Sequence, residues 1–122
     1  MLFRSGRQTE AVRADLLSLT YDSKDEADLK PLRNAYEKGG WTAYQQARIA
    51  FFRQHLARPC TGYEIGVSYL RLGNRDGAFS GLNQSIDQYC AWTNWLMIDP
   101  MLDDLRGDSR YRESLRRLKL AE

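Results

Sequence analysis

TGYEIGVSYLRLGNRDGAFSGLNQSI, residues Thr61–Ile86, reads as two short helices folded back on each other across Leu72-Gly73-Asn74. Ile65, Tyr69 and Leu72 form an apolar stripe on the first helix. On the second, Ala78, Leu82 and Ile86 recur at intervals of four, which places them on one face. Glycine costs roughly 1 kcal/mol relative to alanine inside a helix. Gly66 and Gly81 are therefore read as close-approach points, where a neighbouring backbone leaves no room for a side chain. Thr61-Gly62-Tyr63-Glu64 has the form of a capping box at the start of the hairpin.

Upstream, helical spacing continues. Gln8–Thr20 carries Ala11, Val12, Leu16 and Leu19 on one stripe, an amphipathic helix that needs a neighbour. Tyr21–Lys24 is a polar break, and Ser23-Lys24-Asp25-Glu26 has capping-box form. Asp25–Lys38 holds Ala27, Leu29, Leu32, Ala35 and Tyr36. Pro31 lies among them and costs about 3 kcal/mol in a helix interior, so the helix either starts near it or kinks there. Gly39-Gly40 ends that helix. Thr42–Ala57 follows, the most apolar segment, with Tyr44, Ala47, Ile49, Phe51, Phe52 and Leu56, and with Thr42 and Gln45 as its expected capping box. Phe51 and Phe52 point about 100° apart, so they ask for neighbours on two sides. Pro59 closes this helix.

Downstream, AWTNWLMIDPMLDDL (Ala91–Leu105) is too rich in large apolar residues for a free loop. Trp92, Trp95, Leu96, Met97, Ile98, Met101, Leu102 and Leu105 are expected to fold back over the end of the hairpin. Asp108 then caps a last helix, Ser109–Leu118, with Tyr111, Leu115 and Leu118 inward and Arg110, Arg112, Arg116 and Arg117 outward. Cations in its final turn suit the helix dipole.

The 122 residues fit one domain, and 43% hydrophobic with 28% charged residues is an ordinary globular composition. A net charge of +2 gives no whole-chain argument for nucleic acid. Long apolar runs of membrane-spanning length are absent, and MLFRSGRQTE lacks the apolar core of a secretory signal, so a reducing cytoplasm is the expectation. Cys60 and Cys90 have no CxxC spacing and no His at metal-ligand spacing. They fall at the same end of the hairpin, so a disulfide is geometrically possible. Two buried thiols are the commoner outcome in a cytosolic protein.

Turn glycines recur at Gly6, Gly40 and Gly73, a period of 33–34 residues that marks stacked helix hairpins. The central hairpin resembles the tetratricopeptide repeat. Ile65-Gly66 stands where that family has Leu-Gly, Tyr69 where it has Tyr, Ala78 at its small residue and Leu82 at its aromatic position. Gly62 departs from the usual Trp and Cys90 from the common Pro. The preceding unit keeps Leu32, Tyr36 and Gly40 but has Gln45 in place of the small Ala. The first retains only Gly6 and Ala11. GGWTAY (Gly39–Tyr44), YLRLGNRDGAF (Tyr69–Phe79) and WLMIDPMLDDLRGDSRY (Trp95–Tyr111) look like the C-terminal end of bacterial tetratricopeptide-repeat regions attached to signalling and regulatory proteins. Ile98-Asp99-Pro100, Asp103, Leu105-Arg106 and Asp108-Ser109-Arg110-Tyr111 follow the closing segment of those regions, with Ser109 in place of a second proline. Starting in mid-repeat reads as a truncated or fragmentary relative. The resemblance implies an all-α, right-handed solenoid of stacked antiparallel hairpins in one domain. Its parts would be a partial repeat at 1–22, a degenerate repeat at 23–58, the best-matching repeat at 59–90 and a cap at 91–122.

In that family the first helix of each hairpin lines a concave groove that holds a peptide or protein. The resemblance thus implies a partner-binding surface of Tyr63, Val67, Leu70 and Arg71, with Lys30, Asn34, Glu37 and Lys38 from the preceding unit. Lys30 and Asn34 are similar to half of a carboxylate clamp. Glu64 stands where the other half belongs, and an acid there repels a carboxylate. Lys30 also precedes Pro31, which biases it away from helix, and solvated surface is the plainer reading of these charges. Catalysis finds no motif: His55 has no visible nucleophile partner, and Gly39-Gly40 lacks the Lys-Ser or Lys-Thr of a phosphate loop. Glu64 with Asp87, or Asp103 with Asp104, reads as caps and surface. The chain is expected to be a non-catalytic interaction scaffold without cofactor or metal. Nucleic-acid binding by Arg110–Lys119 is not expected, because Asp103, Asp104, Asp108 and Glu113 dilute the basic stripe. A homodimer over the Leu16–Leu19 stripe or the Phe51 flank is the alternative.

Overall fold

The computed structural model describes residues 5–22, 26–54, 60–88, 90 and 100–118, and every element within them is helical. In order they are α1 (Ser5–Asp22), α2 (Glu26–Gln54), α3 (Thr61–Arg71), α4 (Arg75–Asp87), a 3₁₀ segment η1 (Pro100–Leu105) and α5 (Ser109–Arg117). The chain divides into two compact units, residues 1–48 and 49–122. That division falls inside α2 rather than at an expected repeat boundary.

In the first unit, Val12 and Leu19 of α1 are buried as the spacing required, and Leu29 and Leu32 of α2 are buried with them. Pro31 lies within α2 and does not begin it; the non-helical dihedrals fall instead at Gly40, φ 74° and ψ −155°. Glycine alone enters that region readily, so Gly40 is where the two helices expected from the sequence part. Tyr36 and Tyr44, placed symmetrically about it, meet edge to face with ring centroids 6.1 Å apart. A polar layer is buried with these rings. The Tyr44 hydroxyl donates to Asp15 Oδ2 at 2.9 Å, and Arg48 Nε stands 3.4 Å from the same oxygen. Arg48 is buried, and a buried charge persists only when paired. The expected Thr42–Gln45 box does not form. α2 runs on through Thr42, which is exposed, while Gln45 is fully buried with its carboxamide unbonded, so neither side chain caps a helix start.

The second unit is built on the α3–α4 hairpin. A Cβ placed on Gly66 would lie 2.9 Å from the Ala78 carbonyl oxygen, and one on Gly81 would lie 2.5 Å from the Gly66 amide nitrogen. Gly62 belongs to the same seam: its Cβ would meet the Gly81 oxygen at 2.8 Å. The sequence therefore showed two of the three contact glycines. The helices run antiparallel, since Gly62 faces Ser85 and Gly66 faces Ala78. At the turn, Asn74 N donates to Tyr69 O and Gly73 N to Leu70 O, both at 2.9 Å, the paired bonds of a Schellman motif. Gly73 supplies the required positive φ of 79°. Asn74 then caps α4, its Oδ1 accepting from Gly77 N at 2.8 Å.

At the other end of the hairpin Cys60 and Cys90 form a disulfide, with Cα atoms 5.2 Å apart. The expectation of two free thiols is overturned: the glycine seam draws the helix ends within disulfide reach. Cys60 takes φ 67° and ψ 19°, a left-handed conformation that costs a non-glycine residue about 1–2 kcal/mol. It replaces the expected capping box. Cys60 is the N-cap without a side-chain bond, its carbonyl accepts from Glu64 N at 3.2 Å, and Thr61 Oγ1 is buried unbonded. The covalent tie, not a hydroxyl, sets how the chain enters α3.

η1 packs on α3, with Leu102 and Leu105 fully buried. These are the described part of the expected lid; Trp92, Trp95, Leu96, Met97 and Ile98 lie outside the described residues. α5 packs on α4. Asp108 Oδ1 accepts from Arg110 N at 2.9 Å, the cap read from the sequence, and Tyr111 and Leu115 face inward.

Candidate functional site

Each unit holds part of the expected partner surface. On the 26–39 arm of α2, Lys30 and Glu37 are exposed and Asn34 is half-buried. At 100° per residue the three share an arc of about 60°, and the buried Leu29 and Leu32 lie about 110° and about 170° from its centre. Lys38 is exposed on the edge of the same arc. The arm thus turns an apolar face inward and a mixed-charge stripe outward.

In the second unit the expectation fails for three residues. Tyr63, Val67 and Leu70 are buried, at 5%, 6% and 2% exposure, and only Arg71 stays half-buried. The cause is crowding around α3. α4 covers its glycine face, η1 lies on it, and the end of α2 reaches it through Arg53, which donates to the Tyr69 hydroxyl at 2.5 Å. An eleven-residue helix packed on α4 and η1, with Arg53 laid on its Tyr69, leaves little outer face. Tyr63, Val67 and Leu70 are core residues, and nothing in their spacing could show that, because a groove-lining stripe and a core stripe share one periodicity.

A second group of charges, missed in the sequence, gathers where the α3–α4 turn meets the start of α5. Arg110 donates to Asp76 Oδ1 at 2.6 Å and to Asp108 Oδ2 at 2.9 Å. Its guanidinium lies 4.6 Å from the centre of the Phe79 ring, and Arg75 stands 4.0 Å from Asp108. Leu72, Gly73, Asn74, Arg75, Asp76 and Arg110 line a shallow, open depression of about 530 Å³. The Arg110 side chain, with its backbone amide, holds the Asp108 carboxyl down at about 2. Arg110 itself is raised by Asp108 and Asp76. Such a carboxylate stays charged in all ordinary conditions, so it serves as an anchor and not as a proton donor. Asp76 and Asp108 are 34 and 2 residues from Arg110, and only the second spacing was visible as a motif.

Two further α5 cations are also engaged. Arg116 pairs with Glu113 at 2.9 Å and Arg117 pairs with Asp87. Asp103 pairs with Arg106 at 2.9 Å. Two of the acids considered as carboxylate pairs, Asp87 and Asp103, thus sit in ion pairs, and His55 lies outside the described residues. Among the described residues no group of three His, Cys, Asp or Glu is placed to hold a metal, and no helix is long and apolar enough to cross a membrane. Leu17 is the one large hydrophobic residue exposed among them, at 58%, and a single such residue is ordinary surface. No family model matches the sequence, and no curated protein or solved structure matches it.

Proposed function

We propose that the protein is a non-catalytic helical scaffold of tetratricopeptide type that binds a protein or peptide partner. The α3–α4 hairpin would be one repeat of a stacked array, with η1 and α5 as its terminal cap. The observation that carries the reading is the stripe of exposed Lys30 and Glu37 with half-buried Asn34 between them, held on a helix whose opposite face is anchored by Leu29 and Leu32. A rigid, polar, mixed-charge helix face suits recognition of a charged peptide and offers nothing to activate a bond. Arg71 is the remaining candidate contact in the second unit.

Affinity capture from lysate with the wild-type chain, beside a Lys30→Glu/Glu37→Lys variant, tests this. The swap conserves net charge and touches no buried residue. The expected result is a specific partner held by wild type and lost by the variant, with unchanged helicity and melting temperature. Equal capture by both proteins would show that this stripe is not the binding surface.

A further inference from the structure

We propose that the Cys60–Cys90 disulfide is a structural staple, and that the chain works in an oxidising compartment rather than in a reducing cytosol. Three observations converge on it. Both cysteines are buried, Cys60 at 6% and Cys90 at 7% exposure. Their Cα separation of 5.2 Å is within disulfide range, at the end of a hairpin whose helices meet backbone to backbone at Gly62, Gly66 and Gly81. Cys60 is the only non-glycine residue with positive φ among the described residues. A residue holds such a conformation only where its surroundings over-determine it, and the covalent tie to Cys90 does so here.

The staple closes 30 residues of sequence, the whole α3–α4 hairpin, at the end opposite its Schellman turn. Both ends of the hairpin are then fixed, one by hydrogen bonds and one by a covalent bond. Cross-linking a loop of this length chiefly removes freedom from the unfolded chain. Formation proceeds by exchange. The thiolate of one cysteine attacks a sulfur of a small-molecule or protein disulfide and expels a thiolate. The second cysteine thiolate then attacks the mixed disulfide and expels the other. The chain loses two protons and two electrons, and the donor disulfide becomes two thiols. Once the hairpin has closed, burial keeps attacking thiolates away from both sulfurs, so the bond is slow to reduce. Persistent structural disulfides are characteristic of oxidising compartments, and the reducing cytoplasm expected from the N-terminal sequence is not where this pairing lasts.

The test is refolding of the full chain in a glutathione/glutathione disulfide buffer at the poise of a secretory compartment, followed by alkylation and peptide mapping. A Cys60–Cys90 linkage that resists added glutathione in the native state is expected. So is a melting temperature lower by on the order of 10 °C after full reduction in denaturant and refolding under dithiothreitol. Two alkylated thiols after oxidative refolding would overturn the proposal. So would equal melting temperatures for the linked and reduced chains, or rapid reduction of the native protein by glutathione at cytosolic poise. The Cys60→Ala/Cys90→Ala variant should melt with the reduced chain. If it fails to fold, the mapping and reduction rates still decide the question on the wild-type protein.

Discussion

At Gly66 and Gly81 the obstacle to any side chain is backbone, which cannot rotate away as a side chain can. Gly66→Ala should therefore cost about 1–3 kcal/mol and Gly66→Leu more, because the hairpin must open to admit the new atoms. Gly107 is the control, since a Cβ there meets nothing within 4 Å. Gly107→Ala should stay within about 0.5 kcal/mol of wild type. Urea midpoints measured with the disulfide intact decide this, and similar values for Gly66→Ala and Gly107→Ala would refute the seam. Asp15 is the corresponding residue of the first unit. It takes the Tyr44 hydroxyl and faces the buried Arg48. Asp15→Ala leaves that guanidinium without its carboxylate and should cost about 3 kcal/mol, the lower end of the buried-pair range because Asp15 keeps some exposure. A double Asp15→Leu/Arg48→Met variant should recover most of the loss. If the double variant is no more stable than Asp15→Ala, the charge pairing is not what Arg48 depends on.

Among the elements, α5 is held by charge at its start and by apolar contact along its length. The Asp108 carboxyl lies at about 2 in the folded protein against an ordinary aspartate value of 3.8. As pH falls, the unfolded chain binds this proton first, so the stabilisation from Asp108 is complete above about pH 5 and is lost between about pH 4 and pH 2. Asp108→Asn separates the two roles of the residue, because asparagine caps a helix about as well as aspartate but carries no charge. The variant should be less stable than wild type at pH 7, and its stability should change less with pH over that acid window. Parallel acid titrations of the two proteins, followed by the urea midpoint at each pH, would expose a mistaken assignment as curves of identical slope. η1 is held differently, by the fully buried Leu102 and Leu105 on α3. Leu105→Ala should cost about 2–5 kcal/mol. A loss below about 1 kcal/mol by thermal unfolding would mean that the segment rests on α3 without supporting it.

On the scale of the whole molecule, helix class and the α3–α4 hairpin were legible because they rest on local chemistry: spacing of apolar residues, the Leu72-Gly73-Asn74 turn, and the Asp108 cap. Partner assignment was not. Tyr63, Val67 and Leu70 have the same periodicity whether their helix lines a groove or is enclosed, and only the number of neighbours around α3 separates the two. Arg110 with Asp76 is a contact across 34 residues, which no local pattern encodes. The disulfide was visible as an option but not as an outcome, since sequence composition speaks for the compartment only indirectly. The position of the unit division was equally hidden, because α2 continues across residue 48 without any compositional signal. Yet the division has a physical consequence. Residues 49–122 hold the glycine seam, the disulfide, and a buried set that runs from Phe51 through Leu82 to Leu115. Domains of this size fold alone when a cross-link supplements a small core. A fragment of residues 41–122, cut just after Gly40 where the helix is already interrupted, should therefore keep the Cys60–Cys90 linkage, its helical circular dichroism and a single cooperative melt. Reduction should lower that melt more than it lowers the full chain's, because the smaller unit has less other burial to rely on. A broad, non-cooperative transition in the oxidised fragment would show that the first unit is needed to complete the core of the second.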